Sequence, residues 1–598
     1  MKADDAAPEG RPLGLVVLSV LALLVGVATG LGAVLFRDLI GLIHNVMFLG
    51  QVSAHYDANQ FTPASPWGAL VILVPVAGAI VVTLLVTKFA PEARGHGVPE
   101  VMDAIYYKSG VIRPVVAVVK SLASAVSIGT GAAVGREGPI IQIGSALGST
   151  LGQIVRMPAA QRITLVAAGA GAGIAATFNT PIGGVMFAIE MMMPEVSALT
   201  FLPVAIATGT ATFIGRFFFG PDPAFSVPSL APLHVDASSA IALVLYAILG
   251  AITGVAAAGF IRGLHLCEDL FHRLRNPYAR HVVGMLLLGV LIYALQRLFG
   301  HYYVEGVGYA TVQAILLGGL STATLLVTLY LCKLIATSLS LGSGASGGIF
   351  SPSLFMGATL GGAFAAGLAA LHLPVAIDIP SFAMVGMGAM VGGGTGAVMT
   401  AVAMIFEMTR DYDIVMPMIV AVAVSVGVRR LLSPESIYTL KLFRRGQVLP
   451  KALHANMFLV RRAKEVMDTD VVLAPADTGF DAFLARPDHA GRLRHVVVTE
   501  KDRIVGVLRI NTALRRASQE VHPGLSLGAI ASRNFTVVRE NDIVSDVIRR
   551  IWRREAIMAL VVSREGGVPR PEDVAGVITK EHVADSVAAS VGMYPAWE

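Results

Sequence analysis

Long apolar runs dominate the chain up to about residue 440. Leu13 to Phe36, Ala69 to Lys88, Ala240 to Phe260, Val282 to Leu298 and Leu325 to Leu341 each come close to the ~20 residues that cross a bilayer as a helix. Several such runs in one chain predict a helical bundle, not a single anchor. The first run reads as a membrane helix and not a signal peptide, since Lys2 is followed by Asp4, Asp5 and Glu9 and no cleavage site is evident. After residue 440 the pattern changes. Strand-like alternation appears at Arg494 to Thr499 and Arg503 to Ile510, split by a Lys501-Asp502 turn, and again at Met558 to Val562 and Val574 to Thr579. Ala463 to Met467 leading to Ile504 to Leu508 repeats as Leu527 to Ile530 leading to Val574 to Ile578, with Gly506 and Gly576 in matching places. That is a tandem of two units of about seventy residues. The expected division is a membrane domain over 1–440, a linker over 441–460 and a soluble α/β tandem over 461–590.

Composition strengthens the membrane reading. Of 598 residues 55% are hydrophobic and 14% charged, against about 25% charged in ordinary soluble domains, and mean hydropathy is +0.70. Cys267 and Cys332 are too few for a disulfide framework or a thiolate metal site. The pI of about 9.1 does not indicate nucleic acid, because the basic residues sit at membrane edges and after residue 440. Lys441, Arg444, Arg445, Lys451, Arg461, Arg462 and Lys464 follow the last apolar run and place the C-terminal part in the cytosol.

Many membrane segments are short and open on Gly and Pro, the mark of discontinuous helices that end inside the protein. Three sites share one plan: Gly95-His96-Gly97-Val98-Pro99, Gly135-Arg136-Glu137-Gly138-Pro139 and Gly348-Ile349-Phe350-Ser351-Pro352. Glycine lets the backbone bend and approach a ligand, and Pro in the first helical turn has no N–H to lose. Such helix starts present unpaired N–H groups and the positive end of the dipole, so several of them converging would hold an anion. Glu137 stands out, because a carboxylate in apolar sequence must be satisfied or functional. Amides of its own loop are the expected partners. Ionised, it would take the place of an anion among the same donors; protonated, it would release that place.

Together with Phe178-Asn179-Thr180-Pro181 leading to Ile189-Glu190, Ile405-Phe406-Glu407-Met408-Thr409 and Tyr438, these motifs resemble, in order and over essentially the whole chain, the CLC family of chloride channels and proton-coupled chloride antiporters. The resemblance implies an inverted-repeat helical domain with halves at roughly 10–215 and 235–440. It also implies a homodimer with one pore per subunit, a bacterial inner-membrane location and cytoplasmic termini. By the same resemblance Glu137 is the gating and proton-carrying glutamate, and the amides of Ile349 and Phe350 with the Tyr438 hydroxyl line the chloride site, beside the Gly97 and Gly138 backbone. Arg136 is read as a counter-ion or as a structural link. His96 stands where the family commonly has Ser; either its ring donates to the anion and alters selectivity, or only its backbone serves. Met191 occupies the position of the internal proton glutamate of antiporters, which favours a channel with a glutamate gate over proton-coupled exchange without excluding the latter. Glu190 and Glu407 read as capping or pairing groups.

The C-terminal tandem resembles a pair of CBS domains. Such pairs often bind adenine nucleotides next to a Thr like Thr579, but His582 replaces the usual ribose-contacting Asp, and Arg509 and Thr512 stand in the matching places of the first copy. A weak nucleotide site and a purely structural, dimer-forming role both remain open. A CBS-regulated magnesium carrier would require clustered membrane carboxylates, whereas the acids here are sparse. No HExxH or nucleophile elbow occurs, and Gly342 to Gly348 lacks the Lys of a P-loop. Neither an enzyme, nor a catalytic residue, nor a metal site is expected.

Overall fold

The computed structural model describes residues 12–228, 237–371, 377–447, 460–484, 495–510, 525–564 and 569–583; Lys451 and Thr512 lie outside them. The chain forms two compact units, Met1–Leu449 and Pro450–Glu598.

Apart from one final helix, the described α-helices of the first unit fall into two series of eight. The first comprises α1 (Leu15–His44), α2 (Val74–Lys88), α3 (Val98–Tyr107), α4 (Val115–Gly129), α5 (Glu137–Ile154), α6 (Ala159–Phe178), α7 (Pro181–Phe187) and α8 (Ala198–Phe219). The second comprises α9 (Ala237–His272), α10 (Pro277–Phe299), α11 (Tyr309–Leu316), α12 (Ala323–Ser343), α13 (Phe350–Ala369), α14 (Ile379–Thr395), α15 (Val398–Thr409) and α16 (Val415–Leu432). Packing matches member for member: α1 lies on α8 as α9 lies on α16, α5 on α6 as α13 on α14, and α6 on α8 as α14 on α16. Glycine permits the tightest of these contacts. A Cβ at Gly144 would strike the Gly169 carbonyl across α5 and α6, and one at Gly357 would strike that of Gly386 across α13 and α14.

Among the described residues eight helical segments are long and apolar enough to cross a membrane. Their outward faces carry Leu35, Phe217, Val244 and Leu298, all exposed, as lipid-facing positions require. By contrast α3 and α11, with 10 and 8 residues, are too short to span and lie inside the bundle. Each opens after a glycine in left-handed conformation, Gly97 at φ +82° and Gly308 at φ +80°, which a side chain would strain.

A final helix, α17 (Ile437–Arg444), corrects the expected linker. Residues 441–447 are folded onto the membrane unit: Arg445 makes a two-pronged pair with Glu100 of α3 at 3.0 and 2.7 Å. Arg444 reaches Asp269 of α9 at 2.9 Å, and Gln447 donates to Asp103. Basic residues read only as a cytosolic flank therefore serve also as clamps.

The second unit holds two three-stranded sheets of identical plan. In the first, β1 (Val471–Pro475) runs parallel to β2 (His495–Glu500), which pairs antiparallel with β3 (Arg503–Arg509). In the second, β4 (Phe535–Arg539), β5 (Met558–Val562) and β6 (Val574–Thr579) repeat the order. The repeats exchange backbone pairs: Asp468, ahead of the first sheet, bonds Val577 of the second, and Ser532, ahead of the second, bonds Val507 of the first. Val497, Val507, Met558, Leu560 and Val577 form a shared core, while Val496, Val498, Ala559 and Val561 on the opposite faces enter separate cores, so the central strands β2 and β5 are buried on both faces.

Candidate functional site

The three Gly/Pro motifs, scattered over 250 residues of sequence, meet. Gly135 and Gly348 bond each other in both directions at 2.7 and 2.6 Å, and Gly95 accepts from Gly347 and donates to Ala345, each at 3.3 Å. A Cβ at Gly138 would strike the His96 carbonyl and approach the Gly348 Cα within 3.0 Å. The starts of α3, α5 and α13 thus converge on one point, and only glycine allows the approach. Their first N–H groups have no helical acceptor, so the point is rich in donors.

Glu137 opens α5 at this point and is buried. Its Oε1 accepts from the Tyr309 hydroxyl at 2.9 Å and from the Ser351 hydroxyl, and the two hydroxyls lie 2.5 Å apart. The backbone N–H groups of Glu137 itself and of Ser351 also face the carboxylate. The expected partners were amides of its own loop; the hydrogen bonds come chiefly from hydroxyls of the second half. Oε2 is buried without a hydrogen-bond partner, pressed against Gly135 and Gly348 so closely that a Cβ on Gly348 would stand 2.9 Å from it. A buried carboxylate held on one oxygen only is poorly compensated.

His96 and Tyr438 line one side of the meeting point. Both are buried, with ring centroids 5.9 Å apart, and His96 Nδ1 has no hydrogen-bond partner. Tyr438 is set by the capping box of α17, in which Thr439 N–H reaches Ser436 Oγ at 3.3 Å and Ser436 N–H reaches Thr439 Oγ1 at 2.9 Å. Lys120 holds the Gly95 loop, its ammonium donating to the carbonyls of Ala93 at 2.9 Å and Gly95 at 2.7 Å. Ile349 is the residue before α13 and Phe350 its first; both are buried, and the Phe350 ring lies 5.8 Å from that of Phe178.

Arg136 is not paired with Glu137. Its guanidinium lies over the rings of Tyr309 at 5.3 Å and Phe178 at 5.8 Å, an arrangement that holds a cation without an acid. Above it opens a cavity of about 930 Å³ lined among others by Arg37, Asp57, Arg136, Phe178, Asn179 and Tyr309. The cavity therefore ends on the layer that covers Glu137.

Glu190 and Glu407 lie apart from this point and cap helices reciprocally. Glu190 accepts from the N–H groups of Val398 at 2.7 Å and Thr400 at 2.9 Å, the start of α15. Glu407, within α15, accepts from Ile182 at 3.0 Å and Gly183 at 2.7 Å, the start of α7. Met191 sits beside Glu190 in a π-helical turn, Ala188–Met192. In the second unit Thr579 and His582 are turned to each other, the His582 N–H donating to Thr579 Oγ1 at 3.3 Å.

Sequence reading missed Tyr309 and the hydroxyl role of Ser351. The signal for Tyr309 was the run Gly306-Val307-Gly308-Tyr309, the second-half counterpart of Gly95 to Val98. It also pointed to no metal-ligating set, whereas the fold gathers Asp468, His495 and His582; these are separated too widely in sequence to form a spacing motif.

The voltage gated chloride channel family matches residues 78–430. A putative chloride channel protein, ClcB-like, of Ralstonia nicotianae is 33% identical over 70% of this chain and 95% of its own length. The H(+)/Cl(-) exchange transporter ClcA of Salmonella agona is 32% identical over 71% of this chain and 88% of its own. A solved slow cyanobacterial Cl-/H+ antiporter, 28% identical, superposes with a TM-score of 0.62 over 72% of this chain and 97% of its own. With these matches covering the unit that carries the converging helix starts, the chain belongs to the voltage gated chloride channel (CLC) family and is an integral membrane protein that transports anions.

Proposed function

We propose that a small anion, chloride foremost, crosses at the meeting point of α3, α5 and α13, and that Glu137 is its gate. The observation that carries this reading is the buried carboxylate lodged among three helix starts with one oxygen unpaired. Ionised Glu137 competes with the anion for N–H donors; neutral Glu137 leaves them to it. His96, whose ring nitrogen is unpaired, and the Tyr438 hydroxyl serve the anion on one side of the gate, while Arg136 draws it in from the cavity on the other. The backbone at Gly97, Gly138, Ile349 and Phe350 supplies the remaining contacts. All these groups come from one chain, so each subunit of the expected homodimer holds its own pathway, with the C-terminal unit on the cytosolic side.

Conduction is taken to be channel-like. Glu190 spends its carboxylate on the start of α15, and its neighbour Met191 carries no proton. Proton-coupled exchange is the second reading, supported by likeness to relatives named as exchangers. Proteoliposomes decide. Chloride should leave down its gradient, and a chloride gradient should not drive protons uphill; uphill proton movement overturns the channel reading, and absent chloride flux overturns the pathway.

A further inference from the structure

In the second unit, three side chains that the anion pathway does not use converge. Asp468 lies ahead of β1, His495 opens β2, and His582 follows β6, yet one carboxylate oxygen and two imidazole nitrogens lie within 4.8 Å of one another. We propose that this cluster binds one divalent transition-metal ion of the zinc class, which ties the first repeat to the end of the second.

The geometry favours a shared ion over hydrogen bonds. Asp468 Oδ2 stands 3.6 Å from His495 Nε2 and 3.5 Å from His582 Nε2, too long for good hydrogen bonds. Two ligands bound at about 2.0–2.1 Å to a tetrahedral centre stand ~3.3 Å apart, so small adjustments admit the ion. The imidazole rings meet edge to face, 5.2 Å between centroids at 77°, which keeps both Nε2 atoms turned to the carboxylate. Asp468 is held firmly: its backbone pairs with Val577 in both directions at 2.9 Å, and its Oδ1 accepts from the Asp470 N–H at 2.9 Å, leaving Oδ2 to the ion. The Thr579 N–H lies 3.4 Å from His582 Nδ1, so Nε2 is the nitrogen that faces inward. His495 is buried and His582 partly exposed, which gives the ion an entry side and leaves a fourth position for water. Two imidazoles and one carboxylate suit zinc, cobalt or nickel; calcium and magnesium ask for oxygen ligands throughout. Binding uses neutral imidazoles, so it should weaken as pH falls.

The test uses the full chain, purified without an affinity tag of histidines and stripped with chelator. Titration with cobalt(II), read by its visible absorption, and with zinc(II), read by calorimetry, should show one ion bound per chain. His582→Gln and Asp468→Asn should each lower affinity by at least about tenfold, since loss of even an outer-sphere partner does that. His272→Gln, an exposed histidine elsewhere, should leave affinity unchanged. Zinc should raise the unfolding midpoint of the wild type but not of His582→Gln. Absence of stoichiometric binding overturns the proposal. So does unchanged affinity in both folded ligand variants, which would place the ion elsewhere. Pairing of the three groups by a proton alone, seen as pH-dependent stability indifferent to metal, overturns it too.

Discussion

The two halves of the membrane unit are built with the same devices and differ where chemistry is done. In the first, Lys120 pins a loop through the carbonyls of Ala93 and Gly95; in the second, Lys333 pins one through those of Val304 and Gly306, both at 2.9 Å. Glu190 and Glu407 cap each other's partner helices. Gly135 and Gly348, at equivalent places before α5 and α13, bond each other antiparallel, as elements of opposite direction do. The next positions break the likeness. Glu137 in the first half faces the role of Phe350 in the second, and Tyr309 and Ser351 in the second answer to Val98 and Gly138 in the first. Duplicated scaffolding thus sets the donors in place, while the titratable group comes from one half and its hydroxyl partners from the other. A second acid at this spacing would repel the first.

The largest effect should come from the position that breaks the symmetry. Each pH unit above a carboxyl's own pKa lowers its neutral fraction about tenfold. Glu137→Gln, neutral at every pH, should therefore raise chloride efflux from proteoliposomes at neutral pH by at least about tenfold and flatten its pH dependence. Phe350→Leu should leave the pH dependence as it was. Equal pH dependence in Glu137→Gln and wild type removes Glu137 as gate.

The buried lysines probe the shared scaffold. Lys333→Met leaves two buried carbonyls without a donor, at about 1–3 kcal/mol apiece, and should lower stability in detergent by about 2–6 kcal/mol; Lys120→Met should cost less, since Ala93 keeps the Ser346 hydroxyl and Gly95 the Gly347 N–H as donors. Equal losses in the two variants, read by thermal unfolding, would show that the second donors in the first half carry no weight. The caps come next. Glu190→Gln and Glu407→Gln each weaken a charged cap and should lower stability by about 1 kcal/mol with chloride flux retained. Loss of any proton movement in Glu190→Gln alone would assign Glu190 to a proton path and revive exchange. Smallest is Tyr309→Phe. A carboxylate deprived of a donor takes up a proton more readily, so the pH of half-maximal efflux should move upward; no movement would make the hydroxyl a spectator.

Much of the scaffold was legible along the chain, and the reason is local. Apolar runs of bilayer length, Gly before and Pro within the first turn of α3, α5 and α13, and the short apolar runs of β2 and β5 each reflect constraints that act within about twenty residues. Glu137 was legible because a lone acid in such a run is conspicuous. Its partners were not: Tyr309 lies 172 residues away and looks like any interfacial aromatic. Nor was the service of Lys441, Arg444 and Arg445 as clamps on α3 and α9, because a basic cluster reads alike whether it faces solvent or an acid.

The sequence by itself thus determined the two-part division, the broken helices and the lone acid Glu137 at a helix start, since hydrophobic period, glycine and proline act on the chain nearby. Only the tertiary structure decided which donors face Glu137, that Arg136 rests on aromatic rings, that Glu190 and Glu407 cap one another's helices, and that Asp468, His495 and His582 meet. Those are contacts between segments tens to hundreds of residues apart, fixed by packing of whole helices and sheets, and no local preference encodes them.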